Sequence, residues 1–362
     1  MQKRRLGRTN LRVSAVGFGG TWISELSTVE AVKVVRKAFD SDITYFDTAK
    51  LDGDSEEKIG LALQGVRDNC VIATKTGSRT KRESLEDFKS SLKRLRTDRL
   101  DIIQLHGIDD EKTLDKAMGS DGALQTCKEA QREGLVDFIG ITGHNPRVLA
   151  KAVATGEFDT VLVPLNVVTR QALEVLVPKA RTYDVGVAVM KPFSAKTSTL
   201  ITCLYQPSLS LLSAEPELNA LLGETADEMA CSALRFVLSQ DVSVVVPGLR
   251  SISEVEVAAK TGEKYGGLTP EEQKRFNVDL GEDWCRDCGA CLHCPENINI
   301  PAALRFHTLY TAYGMKVWAK KLYKGLEIKA DKCNGCGECQ TKCPHIVPIE
   351  KTLKQAHNNL HI

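Results

Sequence analysis

The chain has almost no net charge, no leading apolar segment and no long hydrophobic run. Its 48 Lys and Arg face 47 Asp and Glu, leaving +1 over 362 residues. No basic stripe suggests nucleic acid, and no block of one sign suggests a membrane surface. Met1–Asn10 is charged and lacks the apolar core of a secretion signal. No uninterrupted apolar stretch is long enough to span a bilayer. These absences predict a protein of the reducing cytoplasm, with neither nucleic acid nor membrane as partner. No G-x-G-x-x-G opens the first helix either, which counts against a doubly wound dinucleotide fold.

Cysteine, by contrast, is concentrated. Eight of twelve lie between residues 285 and 343. The first run is Cys285-Arg-Asp-Cys288-Gly-Ala-Cys291-Leu-His-Cys294-Pro295, and the second is Cys333-Asn-Gly-Cys336-Gly-Glu-Cys339-Gln-Thr-Lys-Cys343-Pro344. The second matches the C-x2-C-x2-C-x3-C-P run of two-cluster ferredoxins, and the first is one residue shorter before its last Cys. Three closely spaced thiolates wrap three corners of an iron–sulfur cube. The proline turns the chain away, so the fourth Cys serves the other cluster. Two 4Fe-4S clusters are expected: one on Cys285, Cys288, Cys291 and Cys343, the other on Cys333, Cys336, Cys339 and Cys294. C-x2-C pairs also suit tetrahedral zinc, but two four-Cys runs each ending in Cys-Pro favour clusters. Cys70, Cys127, Cys203 and Cys231 are scattered and read as small core residues.

From residue 13 to about 260, β-rich runs alternate with helical patterns. Eight strands are expected: Val13–Phe18, Thr44–Ala49, Cys70–Lys75, Leu100–His106, Phe138–Thr142, Thr160–Pro164, Gly186–Met190 and Val242–Pro247. Their near-continuous apolar character suits strands covered on both faces. Between them, Leu85, Phe88, Leu92 and Leu95 repeat at helical spacing, as do Val32, Val35 and Phe39. Ser27 and Ser55 read as helix starts, Gly134 and Gly156 as stops. Eight strand–helix units predict a (β/α)8 TIM barrel over 1–262. A linker over 263–284 leads to a small, α-rich, ferredoxin-like iron–sulfur domain over 285–362. Residues 194–228 form a long Ser/Leu-rich loop before a helix near Thr225, either a pocket-shaping lid or a packing insertion. Pro301–Gly325 is expected to be helical, with Leu304, Leu309, Tyr313, Val317 and Trp318 as apolar contacts.

In such a barrel the chemistry sits where strands end. The expected strands end in Asp47-Thr48-Ala49, Lys75-Thr76-Gly77, Leu105-His106-Gly107 and Thr142-Gly143-His144. An Asp beside a Lys fixes the ammonium, which in turn lowers the pKa of a neighbouring acid, and a His can donate to a carbonyl oxygen. Taken singly, each residue also reads as a satisfied buried polar group.

The ordered motifs resemble the aldo-keto reductase family. They are Arg5-Leu6-Gly7-Arg8-Thr9, Gly17-Phe18-Gly19-Gly20-Thr21-Trp22, Phe46-Asp47-Thr48-Ala49, Ser55-Glu56, Lys75, Leu105-His106 and Pro247-Gly248-Leu249-Arg250-Ser251. The cysteine region resembles the ferredoxin-like tail of that family's iron–sulfur branch. The resemblance implies NADP(H) across the barrel's C-terminal face and hydride exchange with a carbonyl or alcohol of a small-molecule substrate. It implies a tetrad of Asp, Tyr, Lys and His, with Asp47, Lys75 and His106 on three of its places. The fourth differs. Where the family has Tyr before Gly, this chain has Asp52 before Gly53. Asp52 is then either a general base or a loop residue paired with Lys75 or Lys50. Tyr45 is no substitute, because it precedes Asp47 within the strand.

The resemblance also implies nucleotide contacts from Thr21, Trp22, Thr142, Asn166, Lys191, Gly248, Arg250 and Ser251. His144 is a pocket or a structural histidine. Glu254 and Ala258 replace the polar residues usual near the adenine, which predicts a weaker grip there. Nicotinamide exchanges two electrons as hydride while a cluster passes one, so direct relay needs a splitter, and no flavin motif is evident. The expected function is an NAD(P)-linked oxidoreductase whose clusters serve electron transfer, with a redox protein as a further partner. Two rival readings are a catalytically degenerate barrel acting as an electron-transfer subunit, and a lyase or isomerase using Asp52 as base.

Overall fold

The apolar runs become eight parallel strands. A computed structural model describes residues 1–193, 222–223, 225–278, 280, 284–285 and 289–361. Ahead of the barrel, β1 (Lys3–Arg5) and β2 (Arg12–Ser14) form an antiparallel hairpin. The barrel strands are β3 (Phe18–Gly19), β4 (Tyr45–Asp47), β5 (Val71–Thr76), β6 (Leu100–Leu105), β7 (Val136–Thr142), β8 (Thr160–Pro164), β9 (Gly186–Met190) and β10 (Val244–Val246). Each pairs with the next in sequence. Parallel bridges Val16–Val245 and Gly19–Gly248 bring the first strand beside the last. The sheet is therefore the expected barrel, nearly closed.

The interior is filled by Tyr45, Ala73, Ile102, Leu162, Ala188, Val244 and Val246, joined by Leu6 and Val13 from the hairpin. Gly7 bridges Val185, which immediately precedes β9, so the hairpin plugs the N-terminal end. Gly7 has φ +52, and a Cβ there would lie 2.1 Å from Gly186 N, so this approach requires glycine. The single strand expected over Val13–Phe18 is thus split. Its first residues pair with β1, and the rest turns into the barrel beside β10, where Gly17 N donates to Val245 O at 2.7 Å.

Helices cover the sheet: α1 (Thr28–Asp40), α2 (Ser55–Ala62), α3 (Lys81–Leu95), α4 (Glu111–Met118), α5 (Ala123–Arg132), α6 (Pro146–Ala154), α7 (Gln171–Val175), α8 (Val177–Thr182), α9 (Ala226–Leu238) and α10 (Ile252–Glu263). Ser27 and Glu30 make a full capping box at α1. Ser55 does not cap α2; Asp54 holds the N-cap place, and the buried Ser55 hydroxyl donates to Gly20 O. The buried face of α3 is also rotated from the leucine pattern. It comprises Ser84, Asp87, Phe88, Ser91 and Leu95, while Leu85 is 40% exposed. Asp87 is buried there with partners: it accepts from Thr76 at 2.7 Å and Ser78 at 2.8 Å. Most of the loop expected over 194–228, including Cys203, lies outside the described residues.

The barrel residues, within Met1–Ala195 and Ala230–Leu268, form one compact unit, and Thr269–Ile362 belong to a second. In the second, α11 (Pro270–Phe276), α12 (Ile300–Thr311), α13 (Lys316–Lys324), α14 (Glu338–Lys342) and α15 (Ile349–Leu360) alternate with the cysteine loops. The helix expected over 301–325 breaks near Gly314, at φ +68, into α12 and α13. Leu304, Leu309 and Trp318 are buried, whereas Val317 is 73% exposed. The buried Tyr323 phenol accepts from Ala330 N at 2.9 Å and lies 2.9 Å from His357 Nδ1, tying α13 to α15. No helix among the described residues is long and apolar enough to cross a membrane.

Candidate functional sites: the barrel rim and the cysteine cavities

The C-terminal ends of β4 and β5 hold a buried ion pair. Lys75 Nζ lies 2.5 Å from Asp47 Oδ1 and donates to Thr48 O at 2.7 Å. Gln104, on β6, donates to the other Asp47 oxygen at 2.9 Å. Parallel register sets Lys75 beside Gln104, so three adjacent strands converge on one carboxylate. Both oxygens of Asp47 are satisfied, which fixes the ammonium at the rim.

Asp52 lies in the turn between β4 and α2, half-buried, and Thr21 Oγ1 donates to its Oδ2 at 3.1 Å. Burial pushes the Asp52 carboxyl up. Lys75 pulls it down, Asp47 pushes it up and Thr21 pulls it down, and the balance is a raised pKa. Lys75 does not win, so Asp52 keeps its proton to higher pH than a free aspartate.

His106 follows β6. Burial, then the positive charges of Lys75, His144 and Arg79, lower its pKa to about 3, with only Asp109 opposing. It is neutral at any working pH. Its buried Nδ1 has no hydrogen-bond partner among the described residues.

Across the rim, His144 is gripped by Asp109. The carboxylate accepts from the His144 backbone N–H and faces its Nδ1 at 3.2 Å. Burial opposes ionisation of Asp109, but the hydrogen bonds and charge of His144 hold its pKa down. His144 Nε2 lies 2.9 Å from Lys191 Nζ. Lys191 follows β9 at φ +59, and its carbonyl accepts from Asn166 Nδ2 at 3.1 Å. Asn166 and Thr142 are buried at the ends of β8 and β7. Thr21 is exposed and Trp22 half-buried in the short helix after β3. Gly248 bridges Gly19, and Ser251 caps α10. Asp109 and Arg79 gave no sequence signal. Asp109 stands beside Asp110, whose visible role is the cap of α4. Tyr45 is fully buried in the barrel interior, away from the rim.

In the second unit the cysteines line two cavities. One is lined by Cys291, Cys294, Cys333, Cys336 and Cys339. The other is lined by Cys285, Cys291 and Cys343. Cys288 lies outside the described residues. The last Cys of each run therefore lines the cavity of the other run. Burial raises the Cys339 thiol, and Cys333, Cys336 and Cys294 raise it further, so these four sulfurs sense one another's charge. Gly289 and Gly335, at φ +74 and +75, shape the loops at the two cavities. Among the described residues, no three His, Cys, Asp or Glu converge as a single metal ion requires. Thiols spread around a cavity suit a multi-iron group instead.

The comparisons with known proteins agree with both halves. The aldo/keto reductase family pattern matches residues 15–277, and a 4Fe-4S dicluster domain matches residues 284–348. L-galactose dehydrogenase of Arabidopsis thaliana is 31% identical over 75% of this chain and 92% of its own. A holo-form aldo-keto reductase structure from Bacillus halodurans aligns with a TM-score of 0.62 at 26% identity, over 76% of this chain and 95% of its own. An aldo/keto reductase from Klebsiella pneumoniae, solved with NADP and acetate, shares the fold at 23% identity and a TM-score of 0.59, over 76% of this chain and 94% of its own.

Proposed function

Because the chain belongs to the aldo/keto reductase family and is an oxidoreductase of that type, we propose that its barrel binds a nicotinamide dinucleotide over the strand ends and exchanges hydride with a carbonyl or alcohol of a small molecule. The observation that carries this reading is the assembly of Asp47, Lys75, Asp52 and His106 at one rim. When bound, the nicotinamide supplies or accepts the hydride. Asp47 and Thr48 fix the Lys75 ammonium. Asp52 takes the proton-transfer place that tyrosine holds in the family. In reduction, Asp52 would give its proton to the substrate oxygen, leaving a carboxylate under the charge of Lys75. In oxidation, the Asp52 carboxylate would take the hydroxyl proton. The raised pKa of Asp52 supports the acid role. A neutral His106 can orient the substrate oxygen by hydrogen bonding without competing as an acid.

The cavity cysteines suit two 4Fe-4S clusters, which would supply one-electron transfer to a partner redox protein. Cys285, Cys288, Cys291 and Cys343 would hold one; Cys333, Cys336, Cys339 and Cys294 the other.

The test is an anaerobic titration of the full chain with reduced nicotinamide dinucleotides. Nucleotide fluorescence and the visible cluster band are followed together. Saturable binding is expected. Absence of binding by either nucleotide at millimolar concentration sinks the dehydrogenase reading.

A further inference from the structure

The loop after β10 leads into α10, and its cation, Arg250, is met by carboxylates from α10 and from the short helix after β3. Phosphate sites of (β/α)8 barrels often lie after the last strands, at a helix N-terminus. Here Ser251 caps α10, and its hydroxyl accepts from Glu254 N at 3.2 Å. Glu254 reaches back, and its Oε2 accepts from Arg250 N at 2.7 Å. Its other oxygen lies 4.0 Å from Arg250 Nε. From the opposite side, Glu25 Oε2 approaches Arg250 Nη1 to 3.9 Å. The Glu254 side chain is only 12% exposed, so its charge is poorly screened, while Glu25 is 54% exposed.

The Arg250 guanidinium is thus flanked by two carboxylates, and the amide donor beside it is already used. A phosphate dianion arriving here would have to displace Glu254 from that amide or sit within a few ångströms of two like charges. A ribose diol faces the opposite situation. Its hydroxyl can donate to the Glu254 carboxylate, the same chemistry by which an acidic residue selects the unphosphorylated ribose in other dinucleotide sites.

We propose that this loop makes the barrel selective for NAD(H) over NADP(H), with Glu254 as the residue that sets the choice and Glu25 as a weaker second contributor. This rests on the nucleotide reading above and departs from the NADP(H) that the family resemblance implies. Arg250 then serves to hold Glu254 in place rather than to grip a 2′-phosphate.

The experiment is a pair of titrations, NADH and NADPH, on the anaerobic full-length protein with its clusters intact, repeated across salt concentrations. NADH should bind about tenfold tighter or more, and the gap should shrink as salt screens the carboxylates. Glu254→Gln keeps the shape and an acceptor for Arg250 N, and should move the ratio toward NADPH by roughly tenfold. Glu25→Gln, at an exposed position, should move it the same way by less. NADPH binding as tightly as NADH overturns the inference while leaving the dehydrogenase reading intact. Binding of neither nucleotide overturns both. A preference for NADH that neither variant nor salt alters removes Glu254 and Glu25 as its cause.

Discussion

Lys75→Met should destabilise the barrel far more than a surface substitution would. Lys75 and Asp47 are 6% and 9% exposed, and the ammonium bonds Asp47 at 2.5 Å and Thr48 O at 2.7 Å. Methionine fills much of the same volume, so the loss is electrostatic rather than steric. It leaves the Asp47 carboxylate buried with Gln104 as its remaining side-chain partner. Removing one member of a buried pair costs about 3–5 kcal/mol. Asp47 faces the rim, where water can partly replace the lost partner, so the lower value, about 3 kcal/mol, applies. For a barrel of this size that is a fall in Tm of roughly 6–12 °C. Far-UV circular dichroism melts of the anaerobic protein measure it. Asp47→Asn in the Lys75→Met background removes the stranded charge and should recover at least half of the loss. If Lys75→Met costs under about 1 kcal/mol, or if the two substitutions merely add, the pair is not coupled in the manner described.

Three further outcomes are expected. Asp52→Asn should cut carbonyl reduction by about 10²-fold or more while nucleotide affinity holds; in the unsubstituted protein the rate should fall as pH rises through the raised Asp52 pKa, and a rate flat across that range refutes the acid role. His106 stays neutral down to about pH 3 in the fold, whereas an unfolded histidine takes its proton near 6.5. Below 6.5 the unfolded chain therefore binds more protons, and stability should drop by up to about 1.4 kcal/mol per pH unit; His106→Gln should flatten that part of a denaturation-versus-pH curve. Cys343→Ala should remove the iron of the Cys285/Cys291 cavity, and Cys294→Ala that of the Cys333/Cys336/Cys339 cavity; iron and sulfide analysis that finds either variant fully loaded defeats the crossed ligand assignment.

The barrel was legible because parallel strands covered on both faces leave long apolar runs, and eight such runs alternate with helices. The strand-end residues Asp47, Lys75 and His106 were legible for a related reason: a polar group closing an apolar strand must have a partner or a task. Other features were hidden by long-range pairing. Asp87 is buried in α3 because Thr76, Ser78 and Lys50 reach it from another segment, and no local period encodes that. The raised pKa of Asp52 was hidden for the same reason, because burial outweighs the ammonium only once the turn folds. The grip of Asp109 on His144 joins two loops 35 residues apart and leaves no local trace.

The crossing of the last cysteines has a consequence for biosynthesis. Cys343 lines the cavity of the first run and Cys294 that of the second. As the ribosome makes the chain, the first run emerges with its fourth side still missing. It must wait for α12 and α13 and then for Cys343. On the proposed ligand assignment neither cluster can be closed by its own loop, so delivery of iron and sulfide waits until Cys343 has been made. A truncation that removes only the last loop and α15 would therefore cost both of the proposed clusters, although the first loop would be intact in sequence.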